Sequence, residues 1–355
     1  MMLAATVSLM LAVALGAGAA PRWSVGPRLL AVPALAAAFV VLYLFVSDQV
    51  AQDRAEYYRW YQQSAAMFAD PDARDRGFSL VLHLLPERMS AQAFGMVLGS
   101  TMIVLIIGFV MSLARRGVVP WAALPLVLVV ALCDRMFLDI TLNSSRSSLA
   151  TLLFLFGVLS PVTLVRWALW VLAWGVHGRI LMILVLLYGA SRLLASQPRV
   201  LWVAAGIGVL AMLARLASGS SLVPAAATLE LFMRLSEAES VARGASTTSD
   251  LTPSLAAQVV LALILPLMLL RRRAGPALSA HAAALPADTL PARLVNLSLL
   301  SVTVGLLLYP DLSLAQRIFL VPILCLPLLL PRTALLLLAT AKLTILILVL
   351  PSTLA

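Results

Sequence analysis

The apolar residues of this chain come in long unbroken runs, and no other feature restricts the fold as much. Residues 92–113, 148–165 and 294–308 contain no charged side chain. Runs of ~17–24 apolar residues match the hydrocarbon thickness of a bilayer at about 1.5 Å of rise per residue. Inside lipid the backbone must satisfy its own hydrogen bonds, which leaves helices or closed barrels. Barrel strands alternate apolar and polar positions, and these runs do not. Only 11% of the 355 residues are charged and mean hydropathy is +1.03, against about 25% charged residues in soluble domains. The expected fold is an all-α polytopic membrane protein with about ten to twelve transmembrane helices.

Expected spans lie at 2–20, 29–46, 92–113, 118–133, 148–165, 200–216, 254–270, 294–308, 314–330 and 333–350. The first run ends like a signal peptide in Ala17-Gly18-Ala19, but no Lys or Arg precedes it, and Arg22 and Arg28 follow it. A retained first helix with its N-terminus outside is expected. Residues 167–191 are long enough to cross as one helix, yet that would put His177 and Arg179 near the bilayer centre. Two half-helices meeting at His177-Gly178-Arg179, a broken or re-entrant pair, restore the enrichment of Arg in cytoplasmic loops, with Gly178 as the expected break. The outer side then receives fourteen of fifteen acids, and the inner side Asp288 alone. One transmembrane domain over 1–355, with periplasmic loops at 47–90 and 217–254, is the simplest partition.

The net charge of +10 rests on Arg, with Lys342 as the sole lysine. Orientation in the membrane accounts for that balance, and nucleic acid is not expected as a partner. Cys133 and Cys325 sit in apolar runs, far from any CxxC pattern, and are expected to pack. The chain has no HExxH, P-loop or GxGxxG motif, so neither a metal nor another cofactor is expected.

Two polar clusters stand out: Asn143-Ser144-Ser145-Arg146 and His177-Gly178-Arg179. Ionisable groups in or beside a membrane are costly and point to function. Each also has a plain structural role. Arg146 can anchor a helix at the interface, Asn143 or Ser147 can cap one, and His177 can bond a neighbouring helix. Loop 47–90 adds acids, among them Asp53 and Asp75, and the aromatics Tyr57, Tyr58, Trp60 and Tyr61. Arginines bind phosphate bidentately and stay charged, so Arg146, Arg179 and Arg317 can hold a lipid pyrophosphate. A carboxylate or His177 can take a proton from an attacking hydroxyl, and aromatic faces suit sugar rings. These are the parts needed for glycosyl transfer from a lipid-pyrophosphate donor.

The order of these elements resembles the EpsG branch of the Wzy polysaccharide polymerases. The carrying residues are Asp53-Arg-Ala-Glu-Tyr57-Tyr58-Arg-Trp60-Tyr61, then Asp75-Arg76-Gly77-Phe78 where the family has Glu-Pro-Gly-Phe. Asn143-Ser-Ser-Arg146-Ser147 follows, with Ser for the family's Gln, then His177 in an apolar hairpin and Arg317 opening a late span. The resemblance covers about residues 40–192, and the C-terminal third by hydropathy only. It implies a GT-C-like glycosyltransferase (O-antigen or exopolysaccharide polymerase) on the periplasmic face of the bacterial inner membrane. Such an enzyme moves a growing glycan from undecaprenyl pyrophosphate onto the next lipid-linked repeat unit. Its implied partners are those lipid-linked donor and acceptor glycans, membrane lipid and a chain-length regulator. Arg146, Arg179 and Arg317, with His177, would handle pyrophosphate. Asp53 or Asp75 would be the base, and Tyr57, Tyr61 and Asn143 would form the sugar wall. An O-antigen-ligase-like enzyme, a lipid-linked-sugar flippase and a non-catalytic membrane subunit are the rival readings.

Overall fold

The computed structural model describes residues 32–37, 39–40, 52–69, 76–86, 89–134, 136–137, 140–141, 144–218, 258–273, 289–308 and 313–342. Every regular element among them is a helix. The expected first span and nearly all of the loop at 217–254 lie outside these residues.

The outer loop at 47–90 is largely helical. It forms α1 (Gln52–Gln62), α2 (Ser64–Ala69) and α3 (Arg76–His83), and α1 and α3 pack together. α4 (Ala91–Arg115) follows, its start capped by Ser90, which accepts from Ala93 N–H at 3.2 Å. It stops where Gly117 adopts φ +71°, a left-handed conformation that favours glycine and lets the turn close back on Leu113 and Ala114.

The span expected at 118–133 is a shorter apolar helix, Trp121–Leu132. A 3-10 turn at Trp121–Ala123 leads into α5 (Leu124–Leu132), and every residue of α5 is buried. A helix apolar on all sides is covered on all sides, here by protein. The span expected at 314–330 is likewise broken, into α11 and α12 described below. Among the described residues three helices are long and apolar enough to cross a membrane: α4, Thr163–Leu193 and Leu290–Leu308.

α6 (Ser145–Leu159) ends at Ser160-Pro161 and leads into α7 (Thr163–Leu193). α7 is two helices joined across a kink. His177 has φ −158° and ψ 84°, outside the helical region. Trp170 and Tyr188, 18 positions apart in sequence, have ring centroids 5.9 Å apart. In a straight helix they would be separated by about 27 Å. The two halves, 163–176 and 178–193, therefore fold back side by side as a hairpin with His177 at its apex. The break falls on His177, not on Gly178 as expected, because the conformation is extended and open to any residue. Each half rises about 21–24 Å, short of a ~30 Å hydrocarbon core. The hairpin is clamped by α6: Phe154 stacks on Trp170 at 5.6 Å, meets Tyr188 edge-on at 6.2 Å, and accepts the Trp170 indole N–H at 3.2 Å.

α8 (Pro198–Ser218) returns along α10, and α9 (Leu265–Arg273) precedes α10 (Leu290–Leu308). One face of α8 leaves Val203, Ile207 and Leu210 exposed, an apolar stripe, while Gly208 on the opposite face meets Thr303. α11 (Ser313–Ile318) and α12 (Leu320–Cys325) pack against α10, and α11 also touches the hairpin. Lys342, in the last described helical stretch, forms a buried ion pair with Asp134 just beyond α5. The second oxygen of Asp134 accepts the Phe137 backbone N–H at 2.9 Å.

Candidate functional site

α6 runs antiparallel to the first half of the hairpin, because Phe154 lies beside Trp170. Stepping back from Phe154 to Arg146 covers about 12 Å, and forward from Trp170 to His177 about 10 Å. Arg146 and His177 are thus brought to the same level, at the hairpin apex. α11 delivers Arg317 to that level too: its Nη1 lies 3.3 Å from His177 Nε2. Arg179 stands two residues past the break and is exposed. Arg317, Arg146 and Arg179 are all near enough for their charge to be felt at the imidazole, in that order of strength. Four residues singled out from three separate segments of sequence form one cluster.

Helix geometry adds to this charge. The second half of the hairpin begins at the apex, and so does α6. Each presents the positive end of its dipole near the arginines. Helix N-termini and guanidinium groups together make a place for an anion.

Arg146 is half-buried, and its orientation is set by aromatic rings. Its guanidinium carbon lies 4.3 Å from the Trp60 ring centroid, 5.8 Å from Tyr57 and 5.9 Å from Phe78. The three rings meet edge to face, at 5.5–6.3 Å. Trp60 and Tyr57 come from α1 and Phe78 from α3. α3 reaches the hairpin through a crossing of two glycines. A Cβ on Gly77 would stand 2.6 Å from the backbone of Gly175. Gly77-Phe78 therefore works as a docking step: Gly77 permits close approach, and Phe78 is placed beside Arg146.

The sugar wall expected at Tyr57 and Tyr61 takes a different form. Tyr57 is 2% exposed and belongs to the arginine box. Tyr61 is 7% exposed and clusters with Tyr58 and Phe94. Its hydroxyl donates to the Pro86 carbonyl and accepts the Met89 N–H at 2.8 Å, which ties α1 to the start of α4. Both rings are taken up by packing because α1 turns one helical face into the protein. Trp60 and Phe78 were not among the expected site residues. The signal that reveals them is i, i+3 spacing from Tyr57 for Trp60, and adjacency to Gly77 for Phe78. Asp53 lies in the first turn of α1, but its side chain, like Asp75 and Asn143, lies outside the described residues.

His177 is 6% exposed. Arginine has only donors, so the 3.3 Å contact makes Nε2 an acceptor and puts the ring proton on Nδ1. Nδ1 is buried and has no hydrogen-bond partner among the described residues. No family model, curated protein or solved structure matches this chain.

Proposed function

We propose that this chain is a membrane glycosyltransferase of the Wzy/EpsG kind with a GT-C-like architecture. It polymerises undecaprenyl-pyrophosphate-linked repeat units on the periplasmic face of a bacterial inner membrane. The gathering of Arg146, Arg179 and Arg317 around His177, at the apex of an apolar hairpin, supports this assignment above all else. A lipid pyrophosphate needs an apolar path for its tail beside a cationic site for its head, and the hairpin supplies both. Its outer faces expose Leu164, Trp167, Val171, Leu172 and Trp174.

In the transfer, a hydroxyl of the acceptor repeat unit attacks the anomeric carbon of the donor glycan. The bond from that carbon to the pyrophosphate oxygen breaks, and undecaprenyl pyrophosphate leaves with the electron pair. The arginines neutralise the charge that grows on the leaving oxygen, which is where electrostatic catalysis is most effective. Asp53 or Asp75 takes the hydroxyl proton. A chain-length regulator would act beside the enzyme.

The test is complementation of a polymerase-null host, with glycan length read on a gel at matched protein levels. Single repeat units with no ladder from Arg146→Ala support the assignment, and a full ladder refutes the role of the cluster. Restoration of glycan attachment but not of chain growth by the parent protein would transfer the assignment to a ligase. Asp53→Asn and Asp75→Asn identify the base by which one abolishes the ladder.

A further inference from the structure

We propose that His177 acts in this site as a fixed neutral hydrogen-bond donor, giving its Nδ1–H to a phosphoryl oxygen of the bound pyrophosphate, and not as a base. Arg317 is its positioning residue. The inference rests on the anion-site reading above and deepens it.

Three observations meet here. The Arg317 guanidinium occupies Nε2 at 3.3 Å and can only donate to it. That contact removes the basic nitrogen from use, since a base needs its lone pair free for the incoming proton. It also selects the tautomer, as a partner on one ring nitrogen does for the other. The remaining nitrogen, Nδ1, is buried and unpartnered among the described residues, on a side chain 6% exposed. A buried N–H is rarely left unmatched, because leaving it so costs free energy comparable to a lost hydrogen bond. Thirdly, the extended conformation of His177 places this ring at the hairpin apex, where two helix N-termini and three arginines assemble. The acceptor that fits such surroundings is an anionic oxygen. A second donor of unchanging charge is useful beside the arginines, because it adds direction without adding a proton that could leave.

The experiment uses the full-length protein in detergent with farnesyl pyrophosphate as the probe and farnesol as its uncharged control. Histidine is labelled with nitrogen-15; the chain has three histidines, and His177 is assigned by loss of its signals in His177→Asn. The expected spectrum is a neutral ring protonated at Nδ1, whose resonance moves on addition of farnesyl pyrophosphate and not of farnesol. Protonation at Nε2, an imidazolium, or a resonance indifferent to the probe overturns the proposal. Affinities supply the second arm. Asparagine keeps a donor near the Nδ1 position, so His177→Asn should bind within about threefold of the parent. His177→Gln keeps an acceptor for Arg317 but loses that donor, and should bind about tenfold more weakly or worse. Equal affinity for the two variants overturns the donor role. If Arg146→Ala weakens binding while both histidine variants match the parent, this proposal alone fails. If Arg146→Ala and Arg317→Ala both leave affinity unchanged, the anion site itself fails.

Discussion

The crossing of α3 over the hairpin makes an asymmetric prediction. A methyl group added at Gly77 would meet the Gly175 Cα and carbonyl carbon at 2.6 Å and its oxygen at 2.8 Å. Ordinary carbon contacts begin near ~3.5 Å, so α3 must lift by about 0.9 Å, and its obstacle is backbone, which cannot swing aside. A methyl at Gly175 would meet only the Gly77 Cα at 3.2 Å and its N at 3.7 Å. That shortfall is about 0.3 Å on the same scale. Gly77→Ala should therefore cost ~2–3 kcal/mol, the upper part of the range for overpacking. Gly175→Ala should lie within about 1 kcal/mol of the parent, since helix propensity gains nearly what strain removes. The assay is denaturation of the purified protein in mixed micelles, followed by farnesyl pyrophosphate binding on whatever remains folded. Lifting α3 withdraws Phe78 from Arg146, so Gly77→Ala should also weaken binding in the folded fraction. Equal stability of the two variants, or a larger loss in Gly175→Ala, would refute the geometry.

The Asp134–Lys342 pair, 3% and 2% exposed, should show strong coupling. Either Asp134→Leu or Lys342→Met alone should cost ~3–5 kcal/mol, and the double replacement far less than their sum; additive losses in a denaturation series would remove the pair. Arg146→Lys should bind farnesyl pyrophosphate nearly as poorly as Arg146→Ala, since an ammonium lacks the plane that stacks on Trp60, and Trp60→Ala should cost ~0.5–2 kcal/mol of the same affinity. Arg166 donates from Nε to the Gly157 carbonyl at 3.2 Å and from Nη2 to the Ser160 carbonyl at 2.8 Å. Arg166→Ala should thus loosen the α6–α7 turn by ~1–3 kcal/mol, measured in the same micelles. Cys133 and Cys325 are buried, so a membrane-permeant maleimide should label neither until the protein unfolds.

Much of this site was legible in the chain. Uninterrupted apolar runs without the alternation of barrel strands pointed to helices, and every regular element among the described residues is one. Charged groups set in such runs are expensive wherever they sit, which is why Arg146, His177, Arg179 and Arg317 could be singled out. The enrichment of Arg expected in cytoplasmic loops also favoured a broken pair at 167–191, and the structure bends there at His177. Asp53 and Asp75 could not be told apart as the proposed base, because an acid in a polar segment costs little whether it works or merely hydrates.

Tertiary structure alone decided the rest, and for one physical reason. Hydropathy records that a side chain avoids water; it does not record whether lipid or protein replaces the water. Leu124–Leu132 and Leu320–Cys325 therefore read like membrane spans although protein surrounds them. The same blindness hid the partner of Lys342, which lies 208 positions away in Asp134. It hid the work of Tyr57, Trp60 and Phe78 as well, whose rings gather around Arg146. The pairing of Gly77 with Gly175 was hidden too, since glycine marks a close approach only once its neighbour is known. The sequence determined which residues would be costly to place, and packing between distant segments determined that they would be placed together.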